Sequence, residues 1–502
     1  MGEKEYCKSD GISAQSELPK HKNNQGATLA VPSARQEMDG IIRPIQSSPK
    51  VRKIDAPLIS SINGLNTLTG LRNTWLGQYY VSHLKQYEIV RYIFQWSWRN
   101  VYPLYVKFIY VNFLIYSFSR KEIQWRSLTK LSEFVKRREI PICKLADKVS
   151  VETPEPEVFP VGDQAYLESP HDHYQYPDIF VATINNGMIN GGTNLVLADD
   201  EVIVCHDLYD FKRDYTSEEM HGRAIISPKF SLVCWLSYDK EPVRIPAAAT
   251  FVDACAPNYA HWLTEVLPRV AIFCADERFK NIPIVVNDGL HENIMESLFL
   301  VAGPEREIIT LPIGRALFCE ELYVTSVAGY VPFERRSKKL SGHSHGLFSP
   351  LAFDLLRNIL IDSAQNAGIT EWPEKIFLRR NSEIRNVVNA AEVEKLLTSR
   401  GYVVLEPEKL TFSQQVKFFS NAKVIVSSSG AAMANMLFAP RDARIIILIG
   451  KYHDTSYWYW QNMACASGKT VSYVLGKISK RNIGGIHASF SVDLESLESS
   501  IS

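Results

Sequence analysis

The feature that most constrains the fold is the rhythm of the last third of the chain. Residues 351–367 have helical periodicity, and KIFLRR then reads as a strand. AAEVEKLLTSRG is a helix ending on Gly401, YVVLEP a strand, FSQQVKFFSNA a helix and KVIVSSSG a buried strand. AAMANMLFAP is a short helix stopped by Pro440, ARIIILIG another buried strand, SYWYWQNMACASG a helix and TVSYVLG a last strand. Strands alternating with helices of about 10–15 residues predict a parallel sheet with right-handed crossovers. The same rhythm occurs earlier. AHWLTEVLPRVAIFCAD is helical in period, IPIVVND is a strand, NIMESLFLVAG a helix with a glycine stop, and EREIITL and CEELYVTS are strands. From about residue 178, IFVATINNGMI, NLVLADDEVIVCHD and AIISPKFSLVCWLSY read as short strands with turns. The expected fold class is α/β, with two Rossmann-like domains, 151–335 and 336–502, facing a cleft where ligands bind.

The first 150 residues differ. Residues 1–55 are polar, lack any period and read as a disordered leader. Residues 56–150 read as a helical extension. Within it, residues 101–118 carry one charge, Lys107, and are rich in Tyr, with Arg91, Arg99, Arg120 and Lys121 around them. A buried helix pair, helices lying in a membrane interface and a true span all remain open for this stretch. Residues 151–178 hold five prolines and read as a linker leading into loop-rich strands.

The chain has 55 basic and 55 acidic side chains. Without a basic surplus, a dedicated nucleic-acid binder is not expected. The eight cysteines form no CxxC pair, and scattered thiols of this kind suit a reducing compartment. No apolar signal segment opens the sequence, so a cytoplasmic location is expected, peripheral at the membrane face if 75–125 is interfacial. His171 and His173 flank Asp172 without further ligands at metal spacing, and no metal site is expected.

Neither unit has GxGxxG or GxxxxGK[ST]. Another phosphate device is present: the strand KVIVSSS runs through Ser429 and Gly430 into a helix beginning at Ala431, whose N-terminus offers free N–H groups. Arg379, Arg380 and Arg385 cluster after the strand 375–378, on the side where open α/β sheets bind ligands. In the first unit His261 and Glu265 are four residues apart on one helical face, suited to a general base and its orienter, with Arg269 continuing that face. Asp253, just upstream, is a further candidate base. Each pattern also suits plain structure: a tight strand–helix turn, solvated arginines, a helix-end histidine with a Glu–Arg ion pair.

Three segments together resemble glycosyltransferase family 61, often labelled capsular polysaccharide biosynthesis proteins in bacteria. They are Tyr259-x-His261-Trp262-x-x-Glu265-x-Leu267-Pro268-Arg269; Arg380 followed by Arg385 and Asn389; and Phe412, Gln415 and Val416 before Ala422, Ile425, Gly430, Ala431, Asn435 and Phe438. The resemblance covers about residues 160–475. Many relatives have His where this chain has Ser429, and Asn-Glu where it has Asn389-Ala390. The resemblance implies a GT-B-like fold and an inverting, metal-independent transfer of a sugar from a nucleotide diphosphate sugar, typically UDP-linked. The acceptor would be an oligosaccharide, lipid-linked or protein-linked glycan in polysaccharide biosynthesis. It implies His261 and Glu265 as catalytic residues, with Asp253, outside the motif, as the next base; the donor would be bound by Arg380, Arg385, Asn389, Gly430, Ala431 and Asn435, and by the backbone at Ser429. The competing expectations are another transferase of this architecture, such as a pyruvyltransferase, and a non-catalytic glycan- or nucleotide-binding subunit.

Overall fold

The structure, a computed structural model, describes residues 49–55, 125–167, 172–198, 202–209, 224–227, 231–235, 239, 241–331, 346–364, 372–381, 385–451, 458–479 and 488–502, with a few single positions between 79 and 93. Most of the expected leader, the apolar run 101–118, the acidic residues 199–201 and the linker residues 332–345 lie outside the described residues.

In chain order the first part contains β1 (Val51–Lys53), β2 (Arg126–Lys130), helix α1 (Leu131–Arg137), β3 (Ile142–Ala146), β4 (Val149–Glu152), β5 (Glu157–Phe159), β6 (His173–Tyr176), β7 (Ile179–Asn190), β8 (Val196–Ala198), β9 (Val202–Cys205), β10 (Ala224–Ser227), β11 (Leu232–Trp235) and β12 (Val243–Thr250). Helix α2 follows in three pieces, Tyr259–His261, a π-helical turn Trp262–Val266, and Leu267–Cys274. Then come β13 (Ile284–Asn287), α3 (Glu292–Ala302), β14 (Ile308–Leu311), β15 (Ala316–Thr325), β16 (Gly329–Tyr330) and β17 (Leu347–Phe348). The second part contains α4 (Pro350–Ala364), β18 (Lys375–Leu378), α5 (Ala390–Ser399), β19 (Val403–Leu405), α6 (Phe412–Asn421), β20 (Val424–Ser428), a 3₁₀ helix (Ala431–Phe438), β21 (Arg444–Gly450), α7 (Trp458–Ala466), β22 (Thr470–Ile478), β23 (Phe490–Ser491) and α8 (Leu494–Ile501).

Two large sheets result. The first runs β1-β14-β13-β12-β15-β7-β8-β9-β2-β11-β10, with β3 also on β7; from β1 to β15 all pairs are parallel, and β15–β7 is antiparallel. The second runs β19-β18-β20-β21-β22, all parallel, extended by β5 and β23 on β22. The alternation of side chains in the strands separates the cores. Ile284 and Val286 of β13, Ile376 and Leu378 of β18, and Ile445 and Ile447 of β21 join one core that continues through helices α2, α3, α4 and α6. Val285 of β13 points instead into a core with Leu131 and Phe134 of α1, and Phe377 and Ile446 into one with Val393 and Leu497. Helices of both parts are thus packed between the two sheets, around a single apolar layer.

Three expectations are corrected. Val51–Lys53 is no part of a disordered leader: it pairs in parallel with β14 and caps that edge, with Ile54 buried behind it. Residues 126–150 are only in part helical: β2, β3 and β4 are strands, and β3 pairs antiparallel with β7. Glu157–Phe159, expected in the first domain, pairs with β22 of the second sheet, where Val158 enters the shared core. Among the described residues no helix is long and apolar enough to cross a membrane.

Candidate functional site

Each sheet has one place where the chain reverses its direction of build. In the first, β13 and β14 are laid on one side of β12 and β15 on the other. In the second, β19 lies on one side of β18 and β20 on the other. The carboxyl edges at such switch points are where open α/β sheets bind ligands. Asp253, Arg380, Ser429 and Gly430 follow strands β12, β18 and β20 at these two edges.

Asp253 follows β12. Its N–H donates to Asn287 Oδ1 at 2.9 Å, and Asn287 Nδ2 donates back to its carbonyl at 2.9 Å. Its carboxylate accepts from Cys255 N–H at 2.9 Å and from Arg269 Nη2 at 3.0 Å. Asp253 is therefore a fixed, ion-paired carboxylate. The imidazole Nδ1 of His261 is hydrogen-bonded to Glu265 Oε1, and Glu265 Oε2 accepts the N–H of Val331 at 3.1 Å. His261 is 8% exposed.

Their spacing is set by the π turn. Pro268 has no N–H to return to Thr264, four residues earlier. The backbone of Gly329 runs against the Thr264 carbonyl, and a Cβ there would overlap the oxygen. Arg269 Nε caps the Glu265 carbonyl at 3.0 Å. π turns of this kind are frequent at functional sites. Burial works against the imidazolium of His261, but the Glu265 carboxylate outweighs it and, with Asp253 adding, raises its pKa. Burial raises the pKa of Glu265 too, against the pull of His261 and with Asp253 reinforcing it. The two titrate as a pair. Asp253, Glu265 and Arg269 line a cavity of about 50 Å³ at this edge.

At the second edge, the loop after β18 carries Arg379 and Arg380, and β20 runs into Ser429 and Gly430. Arg379 is taken up by Glu406, at 2.6 Å from Nη1, and by Glu394. It holds α5 and β19 to the sheet. Arg380 turns the other way: its guanidinium lies so close to Gly430 that a Cβ would overlap Nη1. Gly430 is extended, with φ −177°, so glycine is needed for this approach and not for backbone freedom. Burial lowers the pKa of Arg380, against the pull of Glu408. Beside it Ser428 Oγ is buried and has no partner among the described residues. Arg385 adopts φ +57°. Ala431 is exposed at the start of the 3₁₀ helix. The short helix expected from the sequence at Ala431 is thus of 3₁₀ type.

Three expected donor-binding residues have other partners. Asn389 donates to the Val492 carbonyl at 2.8 Å and accepts the Val492 N–H at 2.9 Å, holding the last strand and helix. Asn435 is wholly buried; it accepts from the Tyr259 hydroxyl at 2.6 Å and donates to Gln415 Oε1 at 2.7 Å. It is a tether between the start of α2 and the second sheet's helices. Ser429 Oγ accepts the indole N–H of Trp460 at 3.0 Å, which fixes that side chain next to Gly430. The sequence reading placed no functional weight on Asn287, Tyr459 or Trp460. Their signals, an Asn ending a strand and aromatics in an apolar helix, are indistinguishable from packing.

Tyr459 and Trp460 approach the second edge from helix α7. Trp460 binds Ser429, its ring packs on that of Tyr459 at 4.4 Å, and burial together with the Glu265 charge raises the pKa of the Tyr459 phenol. His173 is exposed and bonded to Asp172 at 2.7 Å. Among the described residues no three His, Cys, Asp or Glu side chains gather as a ligand set.

No curated protein matches the chain. Residues 259–446 match the family Glycosyltransferase 61. The matched stretch begins at Tyr259 and ends in β21, and so contains the His261–Glu265 pair, the Tyr259–Asn435 tether, Arg380 and Gly430. The segment 259–446, which carries the His261–Glu265 pair of one edge and Arg380 and Gly430 of the other, is similar to glycosyltransferase family 61.

Proposed function

We propose that the chain is an inverting glycosyltransferase of GT-B type, moving a sugar from a UDP-linked donor to a hydroxyl of a glycan acceptor in polysaccharide biosynthesis. The observation that carries this is the contact of Arg380 with Gly430 at one switch point, together with the buried His261–Glu265 pair at the other. The diphosphate lies against Arg380, Arg385 and the first N–H groups of the 3₁₀ helix, where cations and free backbone donors stabilise negative charge. The acceptor hydroxyl gives its proton to the His261–Glu265 pair. Its oxygen then bonds to the anomeric carbon from the face opposite the diphosphate. The bond from that carbon to the diphosphate oxygen breaks, and the nucleoside diphosphate leaves with the electron pair. A pair whose pKa values are both raised holds a proton nearer neutral pH, which suits a general base.

With cationic side chains and N–H groups taking the leaving-group charge, turnover is expected to be metal-independent. Incubation of the purified chain with a panel of radiolabelled nucleotide sugars tests the reading: release of free sugar from one donor, undiminished by EDTA, is expected. Loss of turnover with EDTA, restored by manganese, would show that a cation completes the diphosphate site. A second reading, a nucleotide-binding subunit without turnover, draws on Ser429, whose side chain is spent on Trp460. Tight UDP binding with no release from any donor would select it.

A further inference from the structure

The cavity at the first switch point has a wall that the proton transfer does not use. His206 stacks on Tyr209 with ring centroids 4.0 Å apart, and Tyr330 stands edge-on to both, at 4.4 and 5.8 Å. Facing this aromatic box, Thr325 lines the cavity; it is 3% exposed, and its hydroxyl has no partner among the described residues. A buried hydroxyl without a partner costs stability unless something fills the role, so it marks a place built for a polar guest. Asn194 completes the lining, donating to Asp253 Oδ2 and accepting from the Tyr209 hydroxyl, each at 3.4 Å. Both bonds are long enough to be exchanged for shorter ones.

The charges decide what kind of guest fits. Asp253 is paired with Arg269, and Glu265 is bonded to His261, so the lining offers hydrogen bonds while its one arginine is already met by a carboxylate and does not call for an anionic guest. The volume, about 50 Å³, is that of roughly three or four waters. One edge of a sugar ring carrying two hydroxyls displaces about that many. Aromatic faces beside a few fixed polar groups are the pattern of a small neutral ligand site.

We infer that this cavity is the acceptor subsite and that it holds one hydroxyl-bearing edge of a neutral sugar, on Thr325, Asn194 and the Tyr209–Tyr330–His206 box. The inference rests on the transferase reading for its role, and its chemistry can be tested apart from it. Saturation-transfer NMR of the full-length chain with millimolar methyl β-xylopyranoside, methyl β-galactopyranoside and methyl α-mannopyranoside should show contact with at least one of them. Thr325→Val, which removes the hydroxyl with little change in size, should weaken that contact roughly fivefold for one lost hydrogen bond. Tyr330→Ala should abolish it, and melting curves show whether each variant is folded. If Tyr330→Ala does not fold, Thr325→Val decides. No contact from any glycoside, or undiminished contact in folded variants, overturns the inference. UDP calorimetry and donor hydrolysis report on the other edge: their failure with glycoside binding intact would remove the transferase reading and leave the sugar site standing.

Discussion

The two sheets share a topological device and furnish it differently. In each, the chain builds outward from a central strand and then crosses back, leaving a switch point at the carboxyl edge. At the first, after β12 and β15, the residues are acids, bases and aromatics held by other side chains: Asp253 by Asn287 and Arg269, Glu265 by His261 and Val331. At the second, between β18 and β20, there is a guanidinium, a glycine and the start of a 3₁₀ helix. On the proposed reading, one edge exchanges a proton and the other receives negative charge. The difference teaches that the same strand order specifies only where a ligand sits; the residues just past the strands specify what is done to it.

If the edges divide the work in this way, variants should separate turnover from nucleotide affinity. The largest expected effect belongs to the first edge. His261→Ala and Glu265→Gln should each lower turnover by about 10²–10⁴-fold while UDP affinity stays near wild type. Rates close to wild type in both would give the pair a structural role and make Asp253 the next base to test.

At the second edge, Arg380→Ala and Arg385→Ala should weaken UDP binding roughly ten- to a hundredfold, the value of one charge-assisted hydrogen bond. Gly430→Ala should act in the same direction, because its Cβ takes the space of the Arg380 guanidinium. Calorimetry giving wild-type affinity for all three would place the diphosphate elsewhere.

A smaller effect should appear in the pH profile of kcat/KM. The base must be deprotonated, so activity falls on the acid side as the pair takes up its proton. In the wild-type chain Glu265 raises the pKa of His261 against the effect of burial. In Glu265→Gln that pull is gone, burial prevails, and the acid limb should move to lower pH. A limb that stays in place would mean that some other group titrates.

The smallest expected change concerns what holds the edges in register. Tyr259→Phe removes the hydroxyl that donates to Asn435, and should cost about 1 kcal/mol in denaturant unfolding with UDP affinity little changed. Unaltered stability would show that the tether is not needed to join the two parts.

Much of this was legible in the chain. The strand and helix succession from residue 259 to 475 follows from apolar periodicity, since each element must bury one stripe or face. The spacing of His261 and Glu265, and the arginines after a strand, could be read because they are local. The sequence fixes less where the outcome depends on which distant groups meet. Val51–Lys53 and Glu157–Phe159 are too short and too polar to be recognised alone, and become strands because open sheet edges offer unpaired N–H and C=O groups.

The site shows the same limit. Nothing local distinguishes Arg379, which two glutamates hold in the frame, from Arg380, which reaches Gly430. Asn435 and Asn389 belong to the motifs that carry the family resemblance, yet tertiary packing assigns one to a tether with Tyr259 and the other to the backbone of Val492. The sequence by itself determined the elements, their order and the residue types delivered to the two edges, because these depend on contacts within a few positions. Tertiary structure decided which side chains are spent on holding the fold and which remain for a ligand, because buried polar groups must find partners and those partners come from anywhere in the chain.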